Sequence, residues 1–259
     1  MILPTDLSTF SGSVDQDDCL GNHNGTLPVA SAEERLYSTI WQEKLRREAD
    51  PSADGLLRVR DALALLDPGD KLLDVGCGEG VLAQLARPLY REIHGIDIAP
   101  DAIRLAQEKG MIARLVNLNT DRAPYPDNMF DTVVTLDVIE HMFDPVSFLA
   151  ELRRVLRPGG HLVLSTPNIR KIQRVLTLIG GRFPRTSYDP VGFDGGHLHY
   201  FTSADLRELF SAQGLDVVVV DGICGDRRTW KYKLAVGVLG RRFEKEFLSH
   251  AILIKARKI

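Results

Sequence analysis

Cysteine is scarce in this chain: Cys19, Cys77 and Cys224 are the only three in 259 residues, odd in number and far apart. A disulfide-framed fold is excluded, and the lack of a C-x-x-C pair argues against a structural zinc site. A reducing, cytoplasmic compartment is the expectation. Long apolar runs are missing too. No stretch approaches the roughly 18 residues of a membrane span, and the N-terminus shows no basic start followed by an apolar run. Charge of one sign is also lacking: the formal net charge is −3, so nothing global points to nucleic acid. Apolar residues make up 44%, enough for one large α/β domain.

The chain is organised around Leu72-Leu73-Asp74-Val75-Gly76-Cys77-Gly78-Glu79-Gly80. A short apolar strand is broken by glycines at alternate positions, which let a ligand approach the backbone and permit positive φ. Helical spacing over Val81–Ala86 follows, so the loop opens a helix whose first amides face the ligand. Strand, glycine loop and helix N-terminus together make a nucleotide site at the carboxyl end of a strand. Asp97 ends the next apolar strand, 21 positions after Gly76, where a carboxylate suits a ribose diol. Asp74, just ahead of the loop, would repel a pyrophosphate and suits an amine-bearing ligand. The third glycine also comes one position early for G-x-G-x-x-G.

Residues 1–31 are polar with scattered apolar positions, and they read as a mobile tail. Helices are expected from Ala32 through Leu45 and from Leu56 to Leu66. Alternating units follow: strand 72–75, helix 79–87, strand 92–97, helix 100–109, strands 112–117 and 131–136, helix 144–155 and strand 161–165. Leu156-Arg157-Pro158-Gly159-Gly160 reads as a helix stop and tight turn. The alternation argues a doubly wound, mostly parallel sheet with helices on both faces. Two further strands, 215–220 and 251–256, close the chain. The connection 166–202 is long enough to expect a function. Ile172, Val175, Leu176 and Ile179 share one helical face in it, and Thr202-Ser203-Ala204-Asp205 reads as a capping box.

The motif around Asp74 and the glycines resembles motif I of class I S-adenosylmethionine-dependent methyltransferases. Phe130–Asp137 and Pro158–Asn168 resemble that family's fourth and fifth strands. The similarity, over about residues 55 to 168, is to the branch that includes ubiquinone O-methyltransferases and methionine-biosynthesis methyltransferase-like proteins. It implies a Rossmann-like, seven-stranded sheet whose last strand is antiparallel, and S-adenosyl-L-methionine as cofactor. Cofactor contacts are implied at Asp74, Gly76, Cys77, Gly78 and Gly80, and at Asp97 and Ile98 on the second strand. Leu118, Leu136 and Asn119 complete the set, with Asn117 in place of Asn119 if the register shifts. An amide carbonyl there can accept from the adenine amino group. Helices 32–66 would cap the cofactor, with Tyr37 or Trp41 as a covering ring, and 166–202 would be a substrate-side insertion in a domain spanning 32–259.

Methyl transfer needs alignment of nucleophile, methyl and sulfur, and a hydroxyl acceptor needs a base. His141 is the first candidate, because imidazole titrates near neutral pH; a helix-anchoring role is its alternative. Asp137, Glu140 and His141 resemble the Glu-x-x-Glu-His metal motif of ubiquinone O-methyltransferases, with Asp for the first Glu, and no metal is assigned. If Gly195–Phe201 is extended, His197, His199 and Phe201 face one way, and His199 is a second candidate in the acceptor pocket. Residues 226–247 carry seven basic against three acidic side chains around Trp230, Tyr232 and an apolar run, which suits a peripheral contact with an anionic membrane. The expected activity is methylation of oxygen on a small-molecule or lipid-linked acceptor. A non-catalytic binding module is the alternative. A nicotinamide-dependent oxidoreductase lies further off, given Asp74, the glycine spacing and no suitably placed Tyr-x-x-x-Lys pair.

Overall fold

A computed structural model describes residues 31–46, 53–187, 193–225 and 230–259. The expected tail therefore lies outside the described residues, apart from Ser31, as do Asp226 to Thr229 and the side chain of Trp41. Two helices, α1 (Ala32–Arg46) and α2 (Ala53–Leu63), precede the sheet. Then come β1 (Gly69–Val75), α3 (Val81–Ala86), β2 (Tyr90–Asp97), α4 (Pro100–Glu108), β3 (Ile112–Leu115), β4 (Phe130–Leu136), α5 (Pro145–Val155) and β5 (Leu156–Pro167). The chain closes with α6 (Ile172–Ile179), α7 (Ser203–Ala212), β6 (Leu215–Ile223), α8 (Trp230–Phe243) and β7 (Ala251–Lys258). The seven strands lie in the order β3-β2-β1-β4-β5-β7-β6. β1 to β5 are parallel, and β7 runs antiparallel to both β5 and β6, as expected.

The central strands β1, β4 and β5 are buried on both faces over most of their length, which is why they read as near-continuous apolar runs rather than alternations. Leu73, Val75, Val133, Leu162 and Leu164 pack with α5 and α7 residues such as Leu149, Leu152 and Phe210. Leu72, Val134, Val163 and Leu253 point the other way, onto Ala62, Leu82 and Ala86. The chain leaves β1 toward β2 on one side and β4 on the other, so the carboxyl ends of β1, β2 and β4 frame a crevice at the point where the strand order reverses.

Local chemistry sets the helix starts. Asp144 Oδ1 accepts from the Val146 and Ser147 amides, and Pro145 follows at the first helical position, where its missing N–H costs nothing. Thr202 and Asp205 form the expected reciprocal capping box. One boundary differs. Leu156–Gly160 does not form a free-standing turn; Leu156 already pairs with Phe130, and the ladder shifts register before resuming at His161 opposite Thr132. Gly159, at φ 74°, absorbs that irregularity inside the strand.

Asn168 fastens the end of β5 to the elements around the crevice. It is buried, its Nδ2 donates to Glu246 O and Ser249 Oγ at 2.9 Å, and its Oδ1 accepts from the Arg170 amide. Asn168→Ala leaves these partners buried without replacement and should cost about 2–3 kcal/mol in urea unfolding. A loss below about 0.5 kcal/mol, the range of ordinary surface changes, would show that this anchor is not stabilising.

Candidate active site

Backbone conformation and one carboxylate shape the glycine loop. Gly76, Gly78 and Gly80 all have positive φ. The Gly76 and Cys77 amides both donate to Ile96 O, at 2.8 and 3.1 Å, so the turn is pinned to β2. A Cβ on Gly76 would stand 2.4 Å from Val138 Cγ2, closer than atoms can approach. Cys77 is buried behind the loop, and desolvation pushes its thiol far above the ordinary range, so it is a packing residue here. Asp97 is buried and accepts from Gly78 N through Oδ2 and from Ala99 N through Oδ1, both at 2.9 Å. It therefore orders the loop. A carboxylate has about four acceptor sites, so two amides do not exhaust it. Ile98 is half-buried beside it.

Asp74 lies on β1 opposite Gly95 of β2 and Val134 of β4. Its carboxyl group is 4% exposed and has no hydrogen-bond partner among the described residues. Desolvation, with the Asp97 charge second, pushes it up to about 7. A buried acid beside a glycine loop of positive φ suits a cation brought by a ligand. The residues thus fit the amine and ribose ends of S-adenosyl-L-methionine.

The far rim is built by β3, β4 and α1. Leu118 and Leu136 are half-buried, at the crevice ends of those strands. Asn119 Oδ1 accepts from the Phe143 amide at 2.9 Å, and Asn117 Oδ1 accepts from the Asn119 amide at 3.0 Å. Both amide nitrogens turn to Glu33 of α1: Asn117 Nδ2 donates at 3.2 Å and Asn119 Nδ2 donates to Oε1. Glu33 was not a sequence candidate. Its partners lie more than 80 positions away, and no periodicity carries such a contact. Tyr37, one turn further along α1, has its hydroxyl raised by burial first and then by the charges of Glu33, Glu140 and Asp97. The tyrosine ring meets His141 edge-on at 5.5 Å.

Beyond β4 the backbone is strained. Asp137 has φ 55°, held by an ion pair with Arg58 of α2 and by Ser165 Oγ, which donates at 2.7 Å. The 3-10 turn Ile139–His141 follows. His141 Nδ1 faces Gly196 O at 3.2 Å; a carbonyl only accepts, so Nδ1 is the donor. Glu140 is fully buried. Its Oε2 accepts from Thr166 Oγ1 at 2.9 Å, while Oε1 has no hydrogen-bond partner. Desolvation pushes this acid up to about 7.

The structure brings His197, rather than His199, to this pair. The His197 ring centroid is 4.7 Å from that of His141, and its Nε2 is 3.9 Å from Glu140 Oε1. Its Nδ1 lies 2.6 Å from Thr186 Oγ1, which donates in turn to Asp194 Oδ2. His199 instead lies against Phe201. Their closeness agrees with the alternation expected over 195–201, but that alternation does not begin at Gly195, for a physical reason. Asp194, Gly195 and Gly196 all take positive φ, so the chain coils before His197. Glu140, His141 and His197 place one ligand atom each within 4.8 Å of one another, a set that can take a proton or a divalent cation. Asp137, the remaining acid of that sequence motif, is spent on Arg58 and Ser165.

Asp74 yields a pH test. Its carboxyl group titrates higher folded than unfolded, so the folded state binds the extra proton between about pH 4 and about pH 7. The stability this gives is present in full at low pH and is lost as pH rises through 7. Asp74→Asn should flatten that slope, making the variant relatively more stable at pH 8 than at pH 5. Parallel urea-midpoint profiles for the two proteins would refute the buried, unpartnered state.

Comparison with known proteins agrees with this geometry. Residues 41–220 match the family model described as Methyltransferase domain. The ubiquinone biosynthesis O-methyltransferase of Cereibacter sphaeroides is 28% identical over 176 residues, covering 64% of this chain and 68% of that protein. The enzyme of the same name from Thiobacillus denitrificans is also 28% identical, over 64% of this chain and 73% of its own. Among solved structures, an S-adenosylmethionine-dependent methyltransferase from Mesorhizobium loti superposes with a TM-score of 0.57 at 16% identity, covering 80% of this chain and all of that one, which bears on fold alone. The chain belongs to the Methyltransferase domain family and is an S-adenosyl-L-methionine-dependent methyltransferase.

Proposed function

We propose that the enzyme methylates an oxygen of a small or lipid-linked acceptor, and that Glu140, His141 and His197 form the acceptor-side pocket. The observation that supports this most is the unpartnered Oε1 of buried Glu140 beside two imidazoles. Buried polar atoms without partners are rare and mark places where a ligand completes the set. S-adenosyl-L-methionine supplies an electrophilic methyl group on a sulfonium. Asp74, Asp97, the glycine loop and the 117–119 turn hold and orient that cofactor. With Nδ1 committed to Gly196 O, His141 presents Nε2 to take the hydroxyl proton as the nucleophile forms. Desolvation disfavours the charged forms of both His197 and Glu140, which limits the charge that they add beside the sulfonium as they hold the acceptor. The relatives named ubiquinone biosynthesis O-methyltransferase support an oxygen acceptor.

A second reading rests on the same three ligand atoms: a divalent cation held by Glu140, His141 and His197 would bind and acidify the acceptor oxygen. Chelator-treated enzyme separates the two, since base catalysis by His141 survives chelation.

The deciding experiment incubates the enzyme with methyl-labelled cofactor and phenolic or catecholic acceptors, and asks whether a labelled methyl ether forms. His141→Ala should then lower turnover by about 10² or more while leaving cofactor affinity within about twofold. Equal loss of both, with a lower melting temperature, would make His141 an anchor and end its assignment as base. Asp97→Ala should weaken the cofactor at least about tenfold in calorimetry, because it removes a charged acceptor and the latch on Gly78 together. Unchanged affinity in a folded variant would count against the ribose assignment.

A further inference from the structure

We infer that the corner of the molecule carrying α6 and α8 docks on an anionic lipid bilayer. The inference extends the proposed function by saying where a lipid-linked acceptor would come from, but its observations lie outside the catalytic crevice. Helix α6 buries none of its side chains. The second half of its apolar stripe faces outward: Leu176 is 59% and Ile179 76% exposed, with Phe183 half-exposed just beyond, while Ile172 and Val175 are half-buried. An amphipathic surface helix ordinarily turns that stripe to the core. Helix α8 repeats the pattern with Leu234, Val238 and Leu239, of which Val238 is 73% exposed.

Charge says what covers these faces. In a chain of net charge −3, residues 169–187 hold five Arg or Lys and no Asp or Glu, and residues 230–243 hold four and none. Three of those cations root α6 on the segment where α8 ends. Arg170 pairs with Glu246 at 2.9 Å and lies over the Phe247 ring, Lys171 meets His250 Nδ1 at 2.8 Å, and Arg174 donates to His250 O. The two helices therefore share one corner, held by β5 and β7. Arg182, Arg185, Arg241 and Arg242 are exposed and lie close in sequence to the apolar side chains.

Exposed leucine, isoleucine and valine ringed by arginine is the pattern of a helix lying in the headgroup layer with its apolar side among the acyl chains. Neither helix can cross a bilayer: the eight residues of α6 reach only about 12 Å against roughly 30 Å, and α8 is shorter than a span and broken at Gly240, where φ is 79°. A second copy of the chain would set arginine against arginine across a self-complementary patch. Nucleic acid would neutralise the arginines and leave the apolar side chains in water. An anionic membrane satisfies both features together.

The test sediments the full chain with phosphatidylglycerol-containing vesicles and with pure phosphatidylcholine vesicles, at low and high salt. Binding should be confined to the anionic vesicles and weaken with salt. The quadruple change Arg182→Glu, Arg185→Glu, Arg241→Glu, Arg242→Glu should lower partitioning at least about tenfold. Leu176→Ser with Ile179→Ser should also lower it, at unchanged net charge. Cofactor affinity and turnover of a soluble acceptor should stay unchanged in both variants, which verifies folding and keeps this result separate from the assignment of the reaction. Equal recovery in the supernatant with both vesicle types would overturn the proposal. So would sedimentation equilibrium showing a dimer that Leu176→Ser and Ile179→Ser disperse, because the patch would then be a subunit interface.

Discussion

Three acids, Asp74, Asp97 and Glu140, are buried at the carboxyl ends of adjacent parallel strands, and most of the crevice is an answer to that crowding. Parallel strands bring their carboxyl ends to one side, so side chains far apart in sequence share a small volume of low dielectric. Each acid is handled differently. Asp97 stays within the reach of two backbone amides and organises the glycine loop. Asp74 and Glu140 lack enough donors, and burial raises both to about 7. A fourth acid, Asp137, is neutralised by Arg58. Two buried acids thus stand beside the glycine loop, and Glu140, beyond β4, is a carboxyl group that can change protonation near neutral pH.

Local features carried much of this architecture in readable form. The glycine loop, the pinning of Asp97 to the end of the second strand and the Thr202–Asp205 box each depend on neighbours a few residues away. The buried strands announced themselves because a sheet covered on both faces needs apolar residues at every position. The unreadable parts are contacts across the chain. Glu33 meets Asn117 and Asn119, and Arg58 meets Asp137, through the packing of helices that precede the sheet. His197 was seen only as one of an alternating pair. Nothing in Gly195-Gly196-His197 states that three successive positive φ values will wind the chain and turn that imidazole inward.

Glu140 explains how the long connection and the strand ends act as one unit. Its carbonyl accepts from the Leu198 and His199 amides, at 2.8 and 3.0 Å, while its side chain takes Thr166 Oγ1 from the end of β5. One buried residue thus fixes both edges of the loop that departs at Pro167 and returns at Phe201, and the bridge from Asn168 to Phe201 closes the loop at its base. Between those edges Asp194 collects the Thr186 and Ser187 amides and the Tyr200 hydroxyl. The described residues of the connection are thus anchored at both ends and cross-tied through Asp194.

That anchoring also joins the two proposals physically. Thr166, which holds the Glu140 carboxyl, and Asn168, which holds the roots of α6 and of the turn after α8, stand two positions apart at the end of β5. On the proposed orientation, a helix face seated in headgroups would lie within a few residues of the acid that lines the acceptor pocket. An acceptor carried on a lipid chain would not need to leave the bilayer fully to reach it. The cost of desolvating a long apolar tail in water would then not fall on the encounter, because the tail stays among acyl chains while only the reactive head enters the crevice.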